Sequence, residues 1–153
     1  MSPRWEPDPD IHRGRTVVSN LHAHFVFTPK YRRGVFTDDM LTRCEQVMTG
    51  VCDSFGATLT SFNGEHDHVH LLITYPPTVA LPSLVNSLKG VSARLLRKEF
   101  HSHISQFLWG EHFWSPSYFV GSCGGAPLSV VKDYIENQRR PDPAPELPRS
   151  SRP

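Results

Sequence analysis

An α+β sandwich, with helices covering one face of an antiparallel sheet, is the fold class this sequence predicts. Three observations lead there. Short runs rich in aromatic and β-branched residues recur near 21–28, 57–63, 67–75 and 118–120. Two long helical patterns, about 38–55 and 81–100, lie between them. The resulting order is βαββαβ followed by one more helix over 127–139, the split pattern of a ferredoxin-like fold.

The elements follow from local chemistry. Leu21 to Thr28 is rich in aromatic and β-branched residues and stops at Pro29, so it reads as a strand. Lys30-Tyr31-Arg32-Arg33-Gly34 is a basic loop. Thr37 or Asp38 can cap the first helix, in which Leu41, Cys44, Val47, Met48, Val51, Cys52 and Phe55 fall at helical spacing. Gly56 is placed to end it. A second strand then leads through Gly64 into a third, a hairpin-like pairing, and Pro76-Pro77 breaks the chain. In the second helix Leu84, Leu88, Val91, Leu95 and Leu96 point inward and the Lys/Arg set largely outward. Tyr118-Phe119-Val120 is a short last strand, the segment 121–126 reads as flexible, and Pro127 suits the first turn of the final helix.

The chain has 153 residues and 38 % hydrophobic content, enough for one domain with a real core. We read 1–17 as a loose arm, 18–140 as the single folded domain, and 141–153, with five prolines, as a disordered tail. A net charge of +1 excludes a protein that holds nucleic acid by global charge. The cations are nevertheless clustered: Lys30, Arg32 and Arg33; Lys89, Arg94, Arg97 and Lys98; Lys132, Arg139 and Arg140. Such patches can track phosphates, although charge runs are more often plain solvated faces. Three cysteines without a CxxC pair point to a reduced, cytoplasmic setting with no disulfide framework. No apolar run of about 18 residues is present, so no membrane span is expected.

The chemistry concentrates at His68-Val69-His70. On a strand, side chains alternate with period 2, so the two imidazoles project from one face and Val69 from the other, half of a metal-binding site. Isolated strand histidines are more often structural, and HxH spacing also occurs at His22/His24, His66/His68 and His101/His103. His22/His24 is the serious rival, because the first and third strands of a ferredoxin-like sheet are neighbours. His101/His103 falls where a helix frays and reads as surface. Tyr134 would ordinarily be packing on a helix striped by Leu128, Val131 and Ile135, but Gln138 follows one turn later on its face. Its carbonyl oxygen would complete a neutral His-His-Gln set, leaving a divalent ion its full charge for a phosphate oxygen. A phenol, with an ordinary pKa of about 10, needs an ion or a basic neighbour such as Lys132 to act as a nucleophile.

His68-Val69-His70 with Leu71-Leu72 after it, and Glu65 and Asp67 before it, resembles the histidine–hydrophobe–histidine (HUH) motif of single-tyrosine transposases of small bacterial insertion sequences, the TnpA type. Further segments, in order, resemble that family: 24–36, 87–94, Phe113-Trp114 with 118–120, and 131–138. Together they span most of 21–139. The resemblance implies a ferredoxin-like domain in which His68, His70 and Gln138 ligate Mg²⁺ or Mn²⁺ and Tyr134 attacks a scissile phosphate. It leaves a 5′-phosphotyrosine and a free 3′-OH, so rejoining needs no ATP. It implies a bacterial cytoplasmic homodimer whose tyrosine helix can dock on the partner, with Gly121–Gly125 as a hinge, and single-stranded DNA with hairpins at element ends as substrate. Lys30, Arg32, Arg33, Lys89 and Arg94 are candidate DNA-backbone contacts, and Tyr31 or Trp114 candidate stacking platforms, Trp114 being favoured as core. The rival functions are a domesticated palindrome-associated tyrosine transposase, a non-catalytic nucleic-acid-binding module on the same fold, and a phosphoesterase that uses water as its nucleophile.

Overall fold

The computed structural model describes residues 11–13, 18–108, 110, 112–123 and 128–141. A four-stranded sheet is built from β1 (His22–Phe27), β2 (Thr58–Glu65), β3 (His68–Thr74) and β4 (Phe119–Ser122). Helices α1 (Asp38–Ser54) and α2 (Leu81–Glu99) connect them, and α3 (Leu128–Glu136) follows. The strand order is β2-β3-β1-β4 with every neighbouring pair antiparallel, as the βαββαβ reading requires of a ferredoxin-like sheet. Of the expected N-terminal arm, His12–Arg13 pairs with Val18–Ser19 in a two-residue antiparallel ribbon; 1–10 and 14–17 lie outside the described residues, as does the tail beyond 141.

Alternation along the strands sorts the side chains. Ala23, Phe25 and Phe27 of β1 and Val69, Leu71 and Ile73 of β3 enter one apolar cluster with Met40, Leu41, Cys44, Met48, Leu84, Leu88 and Leu96 from α1 and α2. The intervening residues, His24, His68, His70 and Leu72, project from the opposite face, where α3 packs on β2 and β3. Leu72 and Ile135 are fully buried there, outside the main cluster. Among the described residues, no helix is long and apolar enough to cross a membrane.

Boundaries follow capping chemistry. The Thr37 hydroxyl accepts from the Met40 N–H at 3.2 Å, and Asp38 and Asp39 fill the positive first turn of α1. At its end Ala57 N–H donates to Cys52 C=O and Gly56 N–H to Asp53 C=O, with Gly56 at φ +71°, a Schellman termination. Trp114 is core, as favoured: its Nε1 donates to the Ser92 hydroxyl at 3.0 Å, which removes it as a stacking platform.

Three expectations are corrected. Gly64 is not the turn; it pairs with Val69 inside β2, and the hairpin closes two residues later at His66-Asp67. The glycine is needed for space instead. Gly121 and Ser122 belong to β4 rather than to a flexible segment, while Gly124 to Pro127 lie outside the described residues. His103 is half-buried, on a single helical turn (His101–Ile104) rather than a frayed surface end, with its Nε2 2.8 Å from Val35 C=O. At Gly64 an added Cβ would stand 2.5 Å from His68 C=O and 3.0–3.1 Å from Val69 and Leu41 side-chain atoms. Gly64→Ala should therefore cost about 1–3 kcal/mol of stability; an unchanged thermal midpoint would contradict so close an approach.

Candidate metal centre and tyrosine

β1, β2 and β3 bring the site together by register. Asn63 and Val26 flank His70 on the two neighbouring strands, Glu65 opposes His68, and His24 lies opposite Leu72, one side-chain step from His70 on the same face. The rings of His68 and His70 are 4.8 Å apart between centroids and nearly perpendicular. Each has its Nδ1 engaged. His68 Nδ1 lies 2.7 Å from Asp67 Oδ1, and His70 Nδ1 lies 2.9 Å from His24 Nε2. Both rings therefore keep Nε2 for a ligand, an arrangement that fixes imidazole orientation in metal sites. Gln138 Oε1 is 3.4 Å from His68 Nε2, and the Glu65 carboxylate is 3.7 Å from the same nitrogen.

Tyr134 completes the cluster. Its ring centroid lies 5.4 Å from His70 and 6.2 Å from His24, edge-on to both, and the residue is 54 % exposed. The phenol is thus beside the histidines of its own chain and open to solvent, not lost in packing. Gln138 reaches the site differently from the simple one-face picture. α3 stops at Glu136, and Gln138 sits in a tighter following turn, its N–H donating to Ile135 C=O and its Nε2 3.4 Å from Tyr134 C=O.

The electrostatics suit neutral ligands. Burial, with His68 and His24 as neighbours, lowers His70 to about 4, an effect partly offset by its hydrogen bond to Gln138. Burial likewise lowers His24. Burial alone would raise Asp67, but hydrogen bonds from His68 and Arg32 outweigh it and hold the carboxyl below its ordinary value. Among the described residues, no set of three or more His, Cys, Asp or Glu side chains converges as metal ligands; the Gln138 amide oxygen is the nearer of the two oxygen donors beside His68 Nε2. Two imidazoles and an amide oxygen fit a borderline-to-hard divalent ion with open positions.

The rival pair resolves into separate roles. His22 is buried with its Nδ1 2.8 Å from the Thr74 hydroxyl, while His24 serves as the partner of His70. Sequence reasoning weighed His24 only as a rival ligand and missed this support; its position one side-chain step away on the neighbouring strand was the available signal.

The cations are unevenly placed. Arg32 Nε donates to Asp67 Oδ2 at 3.0 Å, extending a chain Arg32–Asp67–His68. Tyr31, 74 % exposed, and Arg32 have φ of +60° and +51°, a left-handed conformation that is costly for such side chains and gathers at functional positions. Lys89 Nζ donates to Ser115 C=O (2.7 Å) and Ser117 C=O (3.3 Å) and lies over the Phe27 and Tyr118 rings, so it holds a loop rather than standing free. Arg94 is exposed, on a groove of about 500 Å³ between α2 and 112–118 that Lys89, Arg97 and His112 also line.

A histidine whose folded pKa is depressed contributes stability that is complete above its unfolded value and is lost as pH falls. The thermal midpoint should therefore drop between about pH 6.5, the ordinary value, and about 4, where folded His70 finally protonates. His70→Asn should flatten that slope; a wild-type midpoint that rises on acidification across this window would contradict it.

Known proteins resemble this chain in both sequence and fold. Residues 17–138 match the family model described as transposase, IS200-like. The chain is 29 % identical over 129 residues to the ISDra2 transposase TnpA of Deinococcus radiodurans, covering 84 % of this chain and 91 % of that one. It is 28 % identical over 123 residues to the transposase for insertion sequence element IS200 of Salmonella typhimurium, covering 80 % of each. The crystal structure of a Deinococcus radiodurans R1 protein described as a transposase superposes with a TM-score of 0.66 at 31 % identity, covering 84 % of this chain and 98 % of that one. A REP-associated tyrosine transposase bound to a REP hairpin shares the fold, with a TM-score of 0.55 at 10 % identity over 82 % of this chain and 68 % of that one. With the family model spanning nearly all of the sheet, both long helices and the tyrosine helix, this chain belongs to the IS200-like transposase family.

Proposed function

We propose that the chain cleaves and rejoins single-stranded DNA by tyrosine transesterification, for transposition of an insertion sequence. The observation that carries the reading is the solvent-open Tyr134 phenol standing beside His70, in a cluster that also offers His68 Nε2 and Gln138 Oε1. His68, His70 and Gln138 would hold a divalent ion, Mg²⁺ or Mn²⁺, which when bound polarises the scissile phosphate and stabilises the departing oxygen.

The protein's own steps follow from position. The Tyr134 oxygen attacks phosphorus, the bond from phosphorus to the 3′ oxygen breaks, and the strand leaves as a 3′-OH with the 5′ side esterified to the phenol. The phenol proton leaves through the solvent that Tyr134 faces, and the departing oxygen takes one up. A later 3′-OH attack reverses the exchange. One phosphodiester is traded for another ester, so no nucleotide is hydrolysed. Asp67 and His24 keep the two rings oriented during both steps.

The substrate we propose is single-stranded DNA carrying hairpins. Exposed Arg33 and the strained Lys30–Arg32 turn would follow its backbone near the centre, with Tyr31 as a stacking surface. Arg94 would contact backbone in the α2 groove, whereas Lys89 shapes that groove. A homodimer belongs to the same reading: among the described residues β4 is an outer strand, and its Phe119 and Val120 are exposed.

Wild-type protein incubated with hairpin-bearing single strands and Mn²⁺ should give a protein–DNA adduct that survives SDS. Tyr134→Phe should abolish adduct and cleavage while hairpin binding stays within about twofold, since only a hydroxyl is removed. Cleavage by Tyr134→Phe at the wild-type rate would remove the residue from the mechanism and favour water as the nucleophile. Equal binding with EDTA present and no adduct from wild type would favour a binding module.

A further inference from the structure

We propose that Asn63 and Arg140 are positioning residues that hold the tyrosine helix, and with it Gln138, against the paired histidines. This rests on the function proposed above, but the geometry behind it is independent of any bound ion.

α3 is short, and few of its described side chains are buried. Nine residues are too few for a helix to persist alone in water. Of its described side chains only Ile135 is buried, while Val130 and Tyr134 are exposed. The last carbonyls of a helix also have no partners within it. In this chain two of the carbonyls at that end are met by a side chain from the sheet. Asn63, 8 % exposed in the middle of β2 and directly opposite His70, donates through Nδ2 to Glu136 C=O at 3.2 Å and to Gln138 C=O at 2.9 Å.

The other end of the same amide is filled from the same segment. Asn63 Oδ1 accepts from Arg140 Nε. The rest of that guanidinium reaches α1, with Nη1 3.3 Å from the Thr42 hydroxyl and 3.5 Å from Asp38 Oδ1, and Nη2 3.2 Å from Glu45 Oε1. A buried carboxamide would be costly if any of these groups were missing. None of its bonds serves the sheet. All serve the segment 136–140, which is joined at once to β2 on one face and to α1 on the other.

The consequence for the site lies in Gln138. Its backbone carbonyl is pinned by Asn63 while its side-chain oxygen faces His68 Nε2 at 3.4 Å. Fixing the backbone of that residue limits where its carboxamide can go. Asn63 is thus placed to set the distance between the third donor and the rings, and the docking of the helix that carries Tyr134, without touching substrate or ion.

Asn63→Asp separates this role from general stability. It keeps the shape and the acceptor for Arg140 but turns an amide donor into a carboxylate oxygen facing two carbonyls. Hydrogen exchange of the full-length, metal-free variant should speed at least about tenfold in 131–138, the loss of one or two hydrogen bonds, while β1 and β3 stay within about twofold of wild type. The Mn²⁺ concentration for half-maximal adduct formation should rise about tenfold, as for loss of an outer-shell partner. Asn63→Ala and Arg140→Ala should each act in the same direction, and their double variant should fall short of the summed single effects. Wild-type exchange in 131–138, or acceleration spread evenly over the sheet, would overturn the proposal. If wild type forms no adduct, the transesterification reading fails while the exchange data still decide the clamp. If wild type forms adduct and the variants exchange normally, the clamp alone fails.

Discussion

The antiparallel pairing of β1 with β3 is the constraint on which the rest depends. It places Phe25 opposite Leu71 and Phe27 opposite Val69 on the core face, and by the same register sets His70 beside Val26 and one side-chain step from His24 on the other. The imidazoles are held where they are by apolar residues they never touch. Sliding one strand by a single residue would turn Leu71 and Ile73 outward and bury the histidines, at the expense of most of the core. The site thus inherits its precision from burial of Phe, Leu and Ile, and the polar contacts only refine ring orientation.

What could be read in the sequence was what is local and periodic. Four strands, two long helices and the HxH pair all announce themselves within a few residues, because alternation and helical spacing are short-range signals. The element order then dictated which strands would be neighbours. What stayed hidden depends on contacts between distant segments. Gly64 has turn composition, yet it is a glycine because His68 C=O passes too close for a side chain. The helical pattern of the last segment ran on to 139, but the backbone leaves it after Glu136, whose carbonyl is met by Asn63, 73 residues earlier. Asn63 and Arg140 look like ordinary polar residues in the sequence, and no spacing rule connects them.

The basic residues show why a count of charges predicts function poorly. Arg32, Lys89 and Arg140 are all basic, yet all are turned to intramolecular tasks: orienting an acid behind a histidine, closing a loop and tying down a helix end. A protein of net charge +1 cannot rely on a broad field to gather DNA. Under the function proposed above, backbone contacts would fall to exposed cations with no partner among the described residues, such as Arg33 and Arg94.

Arg140 bonds Asn63 on one side of the sheet and Thr42 and Glu45 of α1 on the other, so its side chain wraps the outer margin of β2. That margin is obstructed, while the margin of β4 at the far end carries no such strap among the described residues. A sheet with a single accessible border can add one copy of itself about a two-fold axis and then has nowhere further to grow. The side chain that ties down the final helix thus also lies along one open edge of the sheet, where a further strand would have to pair.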